Sequence, residues 1–328
     1  MSAGGTSPRR TQTPAGELAA AATRALAIPR RVLWRRFLQH GLAVFSLGLL
    51  LMLILISFSA PLIESYLGVD GDQVNLFAIK APPSEAHPLG TDDLGRDLLV
   101  RLAYGGQVSL LVGLAAALCS AAIGTVIGLI SGYYGGRIDA LLMRFADGVI
   151  ALPLLPLLIV LAAIDLQKLG LPAAITSSPD INLYRIVFLI SIVGWTTVAR
   201  LVRGATLSMR AREFVRAAEA LGASPIRIMV IHILPNVVSP IIVATTLSIG
   251  SIILLESVLS FLGLGIQPPT ASWGNMLTNA LELIWDAPAL VYYPGALIFI
   301  TVIAFNFLGD GLQDALDPRS TKDSGLFS

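Results

Sequence analysis

The sequence predicts an all-α integral membrane protein with six spanning helices and both termini in the cytoplasm. Three observations carry this. Of the 328 residues 55% are hydrophobic and only 13% charged, with a mean hydropathy of +0.78, whereas soluble domains typically carry about 25% charged residues. The apolar residues gather into six runs, roughly 41–62, 108–132, 145–164, 186–207, 237–264 and 290–308, each near the length of about 20 residues that a bilayer span requires. The basic residues are also unevenly placed. An inside N-terminus collects the arginines from Arg9 to Arg36, Arg137 and Arg144, the six from Arg200 to Arg227, and Arg319 with Lys322 on one side. Cytoplasmic loops are enriched in such residues. Only Lys80, Arg96, Arg101, Lys168 and Arg185 are left outside, among a larger number of Asp and Glu.

Residues 1–39 form the first unit. The opening 28 or so are rich in Ser, Thr, Pro, Ala and Gly, which bury too little apolar surface to order themselves. A cleaved signal peptide is not expected, because the first apolar run starts only near His40 and is long enough to span. The stretch RRVLWRRFLQH then places Trp34, Phe37 and Leu38 among arginines, a composition suited to the headgroup layer. Residues 40–106 hold the first span and an outer segment. Pro82 and Pro83 disfavour helix there, and Thr91 or Asp92 is expected to cap the helix that follows. Asp92 and Asp93 are sequence neighbours and share no helix face. His87 has no Cys or His near it in sequence and is not expected to hold a metal.

Residues 107–308 form a five-span core. The second run is dense in Gly, Ala and Ser, which permit close helix approach where lipid supplies no hydrophobic drive. It contains Cys119, the sole cysteine, so no intrachain disulfide is expected. Between the fifth and sixth runs, Trp273, Met276, Leu277, Ala280, Leu281, Ile284 and Trp285 recur at helical spacing. They predict an amphipathic helix on the outer surface with its tryptophans in the interfacial belt. Glu256 is the one acidic residue well inside an apolar run. Such a charge generally faces the bundle interior or a cavity, which makes it a candidate for the translocation pathway; a place nearer the outer interface is the alternative. Residues 309–328 are expected as a cytoplasmic tail.

The segment 208–235 differs from everything around it. Phe214, Ala217, Ala218 and Leu221 follow at i, i+3, i+4 and i+7, one narrow apolar face. Glu213, Arg216 and Glu219 form a charge ladder on the water-facing side. Gly222 is expected to end the helix in the left-handed conformation. Ser224 and Pro225 open a second helix, and Pro235 is expected to stop it before the next span. The product is an elbow outside the membrane, with a face of small residues suited to a partner's groove.

The elbow resembles the EAA loop of permease subunits in ATP-binding-cassette importers, where two alanines are followed by x3-Gly-x9 and an x-x-Leu-Pro ending. Ala217, Ala218, Gly222, Leu234 and Pro235 match, whereas Arg216 stands where the motif has glutamate and His232 where many members have isoleucine. The stretches HPLGTDDLGRDLLVRLAYGGQVSLLVG, FLGLGIQPPTASWGNML and AFNFLGDGLQDALDP are similar to the second permease subunit of the dipeptide and oligopeptide importers. The resemblance implies pairing with a homologous permease, two cytoplasmic ATPases and an external substrate-binding protein. It also assigns ATPase coupling to Glu213, Phe214, Arg216, Ala217, Ala218, Leu221, Gly222, Leu234 and Pro235. ATP and Mg2+ belong to the partner subunits, since this chain has no P-loop, and no cofactor, metal, catalytic residue or nucleic acid is expected on it. Peptide is the leading substrate, with nickel and glutathione as alternatives of the same importer type. A secondary transporter would favour paired repeats with ionisable groups at the midplane; this chain offers one candidate acid and no evident repeat. An intramembrane enzyme would need a motif such as H-E-x-x-H or G-x-S-x-G, and neither occurs.

Overall fold

The computed structural model describes residues 30–165, 167–168, 170, 172 and 181–316. The tail before residue 28, Arg319 and Lys322 lie outside them. Among the described residues the chain is all-helical, with no strand beyond a single Thr91–Asp97 bridge. Five helices are long and apolar enough to cross a membrane, and a sixth span is made if one bent pair is counted as a single crossing.

Helix α1 (Arg30–Gln39) and α2 (Gly41–Phe58) meet at His40, whose ring lies 2.6 Å from Asp314. A short α3 (Ala60–Leu67) ends at Gly68, where φ is +65°. After an irregular segment, α4 (Leu98–Tyr134) runs for 37 residues, about 55 Å at 1.5 Å per residue, and so outreaches a hydrocarbon core of about 30 Å. Its cap is neither Thr91 nor Asp92 but Asp97, which accepts the Val100 N–H at 2.8 Å. Asp92 is instead taken up by Arg96 and Arg101, at 2.8 and 3.3 Å.

The third apolar run is not one straight helix. α5 (Gly136–Ala151) and α6 (Leu154–Ala163) are bent by 85°, because Pro153 holds the preceding Leu152 in the extended region, at ψ 136°. α7 (Ile181–Arg210) packs most extensively on α4. The contact is made by Gly124, Gly128 and Gly132, where an added Cβ would lie 2.6 Å from Trp195 O, Ala199 O and Thr206 Cβ respectively. The small residues of the second run therefore all but put two backbones in contact.

After α8 (Glu213–Ala220), α9 (Pro225–Phe261) is continuous. Pro235 does not stop it. Ile228–Ile233 adopts the wider π-helical winding, and Pro235 sits just beyond it, at the start of the following α segment, where the wider turn makes room for its ring. The elbow's second arm and the following span are thus one rod.

The amphipathic helix expected around 273–285 is reduced to a 3-10 turn, Asn275–Leu277, and a two-turn α10 (Ala280–Asp286), separated by Asn279 at φ +62°. Trp285 is 86% exposed. Trp273 is not: it is 1% exposed, and its indole donates to Leu102 O at 2.9 Å. The last helix, α11 (Ala289–Leu316), continues past residue 308 and packs on α9 and α2.

Candidate functional site: the elbow and the buried carboxylate

The elbow is built from backbone chemistry first. Helix α8 is entered from Arg212 in an extended conformation and left through Leu221 and Gly222. Gly222 has φ +79°, and the Ala223 N–H returns to Ala218 O at 3.0 Å, closing the last turn as a left-handed C-terminal glycine does. Pro225 occupies the first position of α9; Ser224 precedes it but makes no side-chain cap.

Side chains then decide which way α8 faces. Val215 is fully buried and Ala218 nearly so, in a cluster with Tyr133 of α4, Val202 of α7, and Ile228, Ile233 and Val237 of α9. The expected face of Phe214, Ala217, Ala218 and Leu221 is therefore split. Ala218 is inside and Phe214 half-buried, while Ala217 is exposed and Leu221 is 88% exposed. The inward stripe is Val215–Ala218, displaced by one residue from the expected one, and Val215 was not singled out. Leu221 lies outside the stripe because it is the C-cap residue and has already turned away from the helix line.

Polar contacts lock this arrangement. Tyr133 donates its hydroxyl to Glu219 Oε1 at 3.2 Å, and the Arg210 guanidinium lies 5.7 Å from the Tyr133 ring centre. Glu219, expected on the solvent ladder, thus reaches back to its own chain. Nearby, Arg203 Nη2 donates to Asp139 Oδ2 at 2.6 Å and Arg200 pairs with Asp147, tying α7 to α5. Glu213, Arg216 and Ala217 face outward. His232 and Leu234 are half-buried on α9, and Pro235 is exposed.

Glu256 lies far along α9 from the elbow and is fully buried. Ser260 donates to its Oε1 at 2.7 Å and Ser109 of α4 to its Oε2 at 3.2 Å. The same two hydroxyls accept from the loop beyond α9: the Trp273 N–H reaches Ser109 at 3.2 Å and the Ile266 N–H reaches Ser260 at 3.0 Å. The Glu256 carboxyl is the centre of a knot that joins α4, α9 and the 262–275 loop, hydrogen-bonded as a buried polar group has to be.

A second buried network was not read from the sequence. Arg101, almost enclosed, meets Asp92 and, at 3.2 Å, Asp72, while His87 lies 2.9 Å from Asp97. A cavity of about 320 Å³ opens between this network and the loop that carries Gln267 and Asn275. Among the described residues no group of three or more His, Cys, Asp and Glu is arranged to hold a metal.

Long apolar helices, a loop knotted between two of them and an elbow with one exposed face define a multi-pass membrane protein. Residues 124–322 match the family model described as binding-protein-dependent transport system inner membrane component, and the chain belongs to that family. Residues 29–83 match the N-terminal TM domain of oligopeptide transport permease C. The chain is 39% identical over 294 residues to the oligopeptide transport system permease protein OppC of Bacillus subtilis, covering 88% of this chain and 91% of that one. It is 40% identical over 299 residues to OppC of Escherichia coli K12, covering 90% and 94%. It is also 39% identical over 294 residues to the glutathione transport system permease protein GsiD of Pectobacterium atrosepticum, covering 89% and 91%.

Proposed function

We propose that this chain forms part of the translocation pathway of an ATP-driven peptide importer in a bacterial or archaeal cytoplasmic membrane. It pairs with a homologous permease, receives di- or oligopeptide from an external binding protein and is driven by two cytoplasmic ATPases that hold ATP and Mg2+. Both termini and the elbow lie in the cytoplasm, and α5 with α6 makes the third of six crossings. The observation that carries this reading is the elbow itself. Its inner face is packed on α4, α7 and α9, its outer face is exposed, and its second arm runs unbroken into a long apolar helix. A push on α8 therefore has a stiff route into the membrane. Glu213, Phe214, Arg216, Ala217, Ala218, Leu221, Gly222, Leu234 and Pro235 make up this coupling element. Glu256 serves the pathway by holding the 262–275 loop against α4.

The test of docking is cross-linking. With Cys119 replaced by Ser, Leu221→Cys should cross-link to the importer's ATPase in assembled complexes, whereas Phe77→Cys, on the outer segment, should not. The absence of any link from Leu221 would sink the coupling reading. The likeness to a glutathione permease favours one second substrate. Uptake of labelled tripeptide, competed by unlabelled peptide but not by glutathione or nickel, separates these cargoes.

A further inference from the structure

Helix α8 has two sides with different chemistry. Val215 and Ala218 are buried inside the chain, and Glu219 is held by Tyr133. The other side exposes Arg212, Arg216, Ala217 and Ala220, with Leu221 at its end. From Arg210 to Arg227 the elbow carries four arginines against two glutamates. With Arg210 over Tyr133 and Glu219 bound by it, the charges left to the outer side are Arg212, Arg216 and Arg227 against Glu213 alone. Among the described residues none of these three arginines has an ion-pair partner in the chain.

We infer that the elbow's outer face fits an acidic groove on the ATPase subunit, with a carboxylate of that subunit opposite Arg216. The inference rests on the coupling reading above and specifies the partner's chemistry. Arg216 is flanked by Ala217 and Ala220, so a partner can approach to near backbone distance and take the guanidinium out of water. An arginine enclosed without a counter-charge is strongly unfavourable, so an occupant seated there must bring an acid, and the planar guanidinium is matched best by a carboxylate accepting two N–H bonds. A lipid surface fits this face poorly. Interfacial helices immerse a row of Trp, Phe and Leu, whereas the outer side of α8 offers arginines and alanines, with bulky apolar exposure at Leu221 and Ile226 around the turn.

The test uses the whole importer, co-expressed with its own ATPases. Because Arg216 is exposed and unpaired, Arg216→Ala and Arg216→Glu should reach the membrane at wild-type levels. Retention of the ATPase through purification should fall several-fold for Arg216→Ala and more than tenfold for Arg216→Glu. Arg216→Lys should recover part of it. Raising the salt from about 50 to 500 mM should release the ATPase from the wild-type complex more steeply than from Arg216→Ala, since Arg216 adds to the positive charge of Arg212 and Arg227 that draws an acidic groove and that salt screens. Charge reversal of an Asp or Glu in the ATPase, at the position cross-linked by Leu221→Cys, should restore uptake to Arg216→Glu. Retention that is indifferent to both Arg216→Glu and salt, while the Leu221→Cys link still forms, would overturn the acidic groove and leave docking standing. Loss of the link itself would overturn both. A defect of Arg216→Glu that appears only in vesicles with anionic lipid, with ATPase retention unchanged, would assign the arginine to a membrane surface and refute the inference.

Discussion

Gly222 and Glu256 are the two residues whose chemistry a single substitution can read. Gly222 has φ +79°, and nothing lies within 4 Å of where a Cβ would stand. The cost of a side chain there is therefore conformational, about 1–2 kcal/mol for an ordinary residue in the left-handed region and more for a β-branched one. Gly222→Val should abolish substrate-stimulated ATP hydrolysis in reconstituted importer, Gly222→Asn should keep most of it, and both should insert normally; equal activity in the two would mean that the turn angle is immaterial. Glu256 is enclosed by hydroxyl donors. Glu256→Leu should leave Ser109 and Ser260 without their acceptor, at about 1–3 kcal/mol for each buried group left unpaired. The expected result is a lowered melting temperature together with protease cleavage within 262–275, and Glu256→Gln should be milder because it keeps one acceptor. An unchanged cleavage pattern in Glu256→Leu would show that the loop does not depend on the knot.

At the level of elements, the unusual feature is the π-helical turn before Pro235. An interior proline costs an α-helix about 3 kcal/mol, and the wider winding over Ile228–Ile233 removes the clash. Pro235→Ala should let that turn relax to α-helix and rotate the elbow relative to the span. ATPase retention should survive while hydrolysis ceases to follow substrate delivery; preserved uptake would make the π turn incidental. The α4–α7 contact is the opposite case, since it is rigid. A Cβ on Gly128 would meet a backbone oxygen at 2.6 Å that cannot give way, so Gly128→Val should cost about 1–3 kcal/mol, as overpacking generally does, and reduce the yield of folded protein in detergent.

At the scale of the whole molecule, α4 joins the two centres of interest. Its N-terminal half carries Arg101, Leu102 and Ser109, which hold Asp92, Trp273 and Glu256, and its last turn carries Tyr133, which holds Glu219. With α7 packed along its glycine stripe, it connects the elbow to the 262–275 loop without an intervening hinge. The inside–outside assignment is testable in intact cells: with Cys119 replaced, Phe77→Cys should react with an impermeant thiol reagent and Ser224→Cys should not. Labelling of Ser224→Cys would reverse the orientation.

The features legible in the sequence are those set by one residue or by a short period. Glycine tolerates a positive φ better than any other residue, so Gly222 marked the elbow; a lone acid in an apolar run has to be enclosed or paired, so Glu256 stood out; and apolar run length announced the five long apolar helices. Features that depend on distant partners were not legible. Ser109 lies 147 residues from Glu256, and Trp273 reads as a surface residue until Leu102 and the glycines of α4 are brought beside it. Val215 rather than Leu221 faces inward because Tyr133, Val202 and Val237 arrive from three other helices. The two prolines state the difference most directly. Pro153 bends its span as local sterics require, while Pro235, under the same local rule, lies in an unbroken rod, because a π turn absorbs its ring and Ile228 and Ile233 are held in the packed core beneath the elbow.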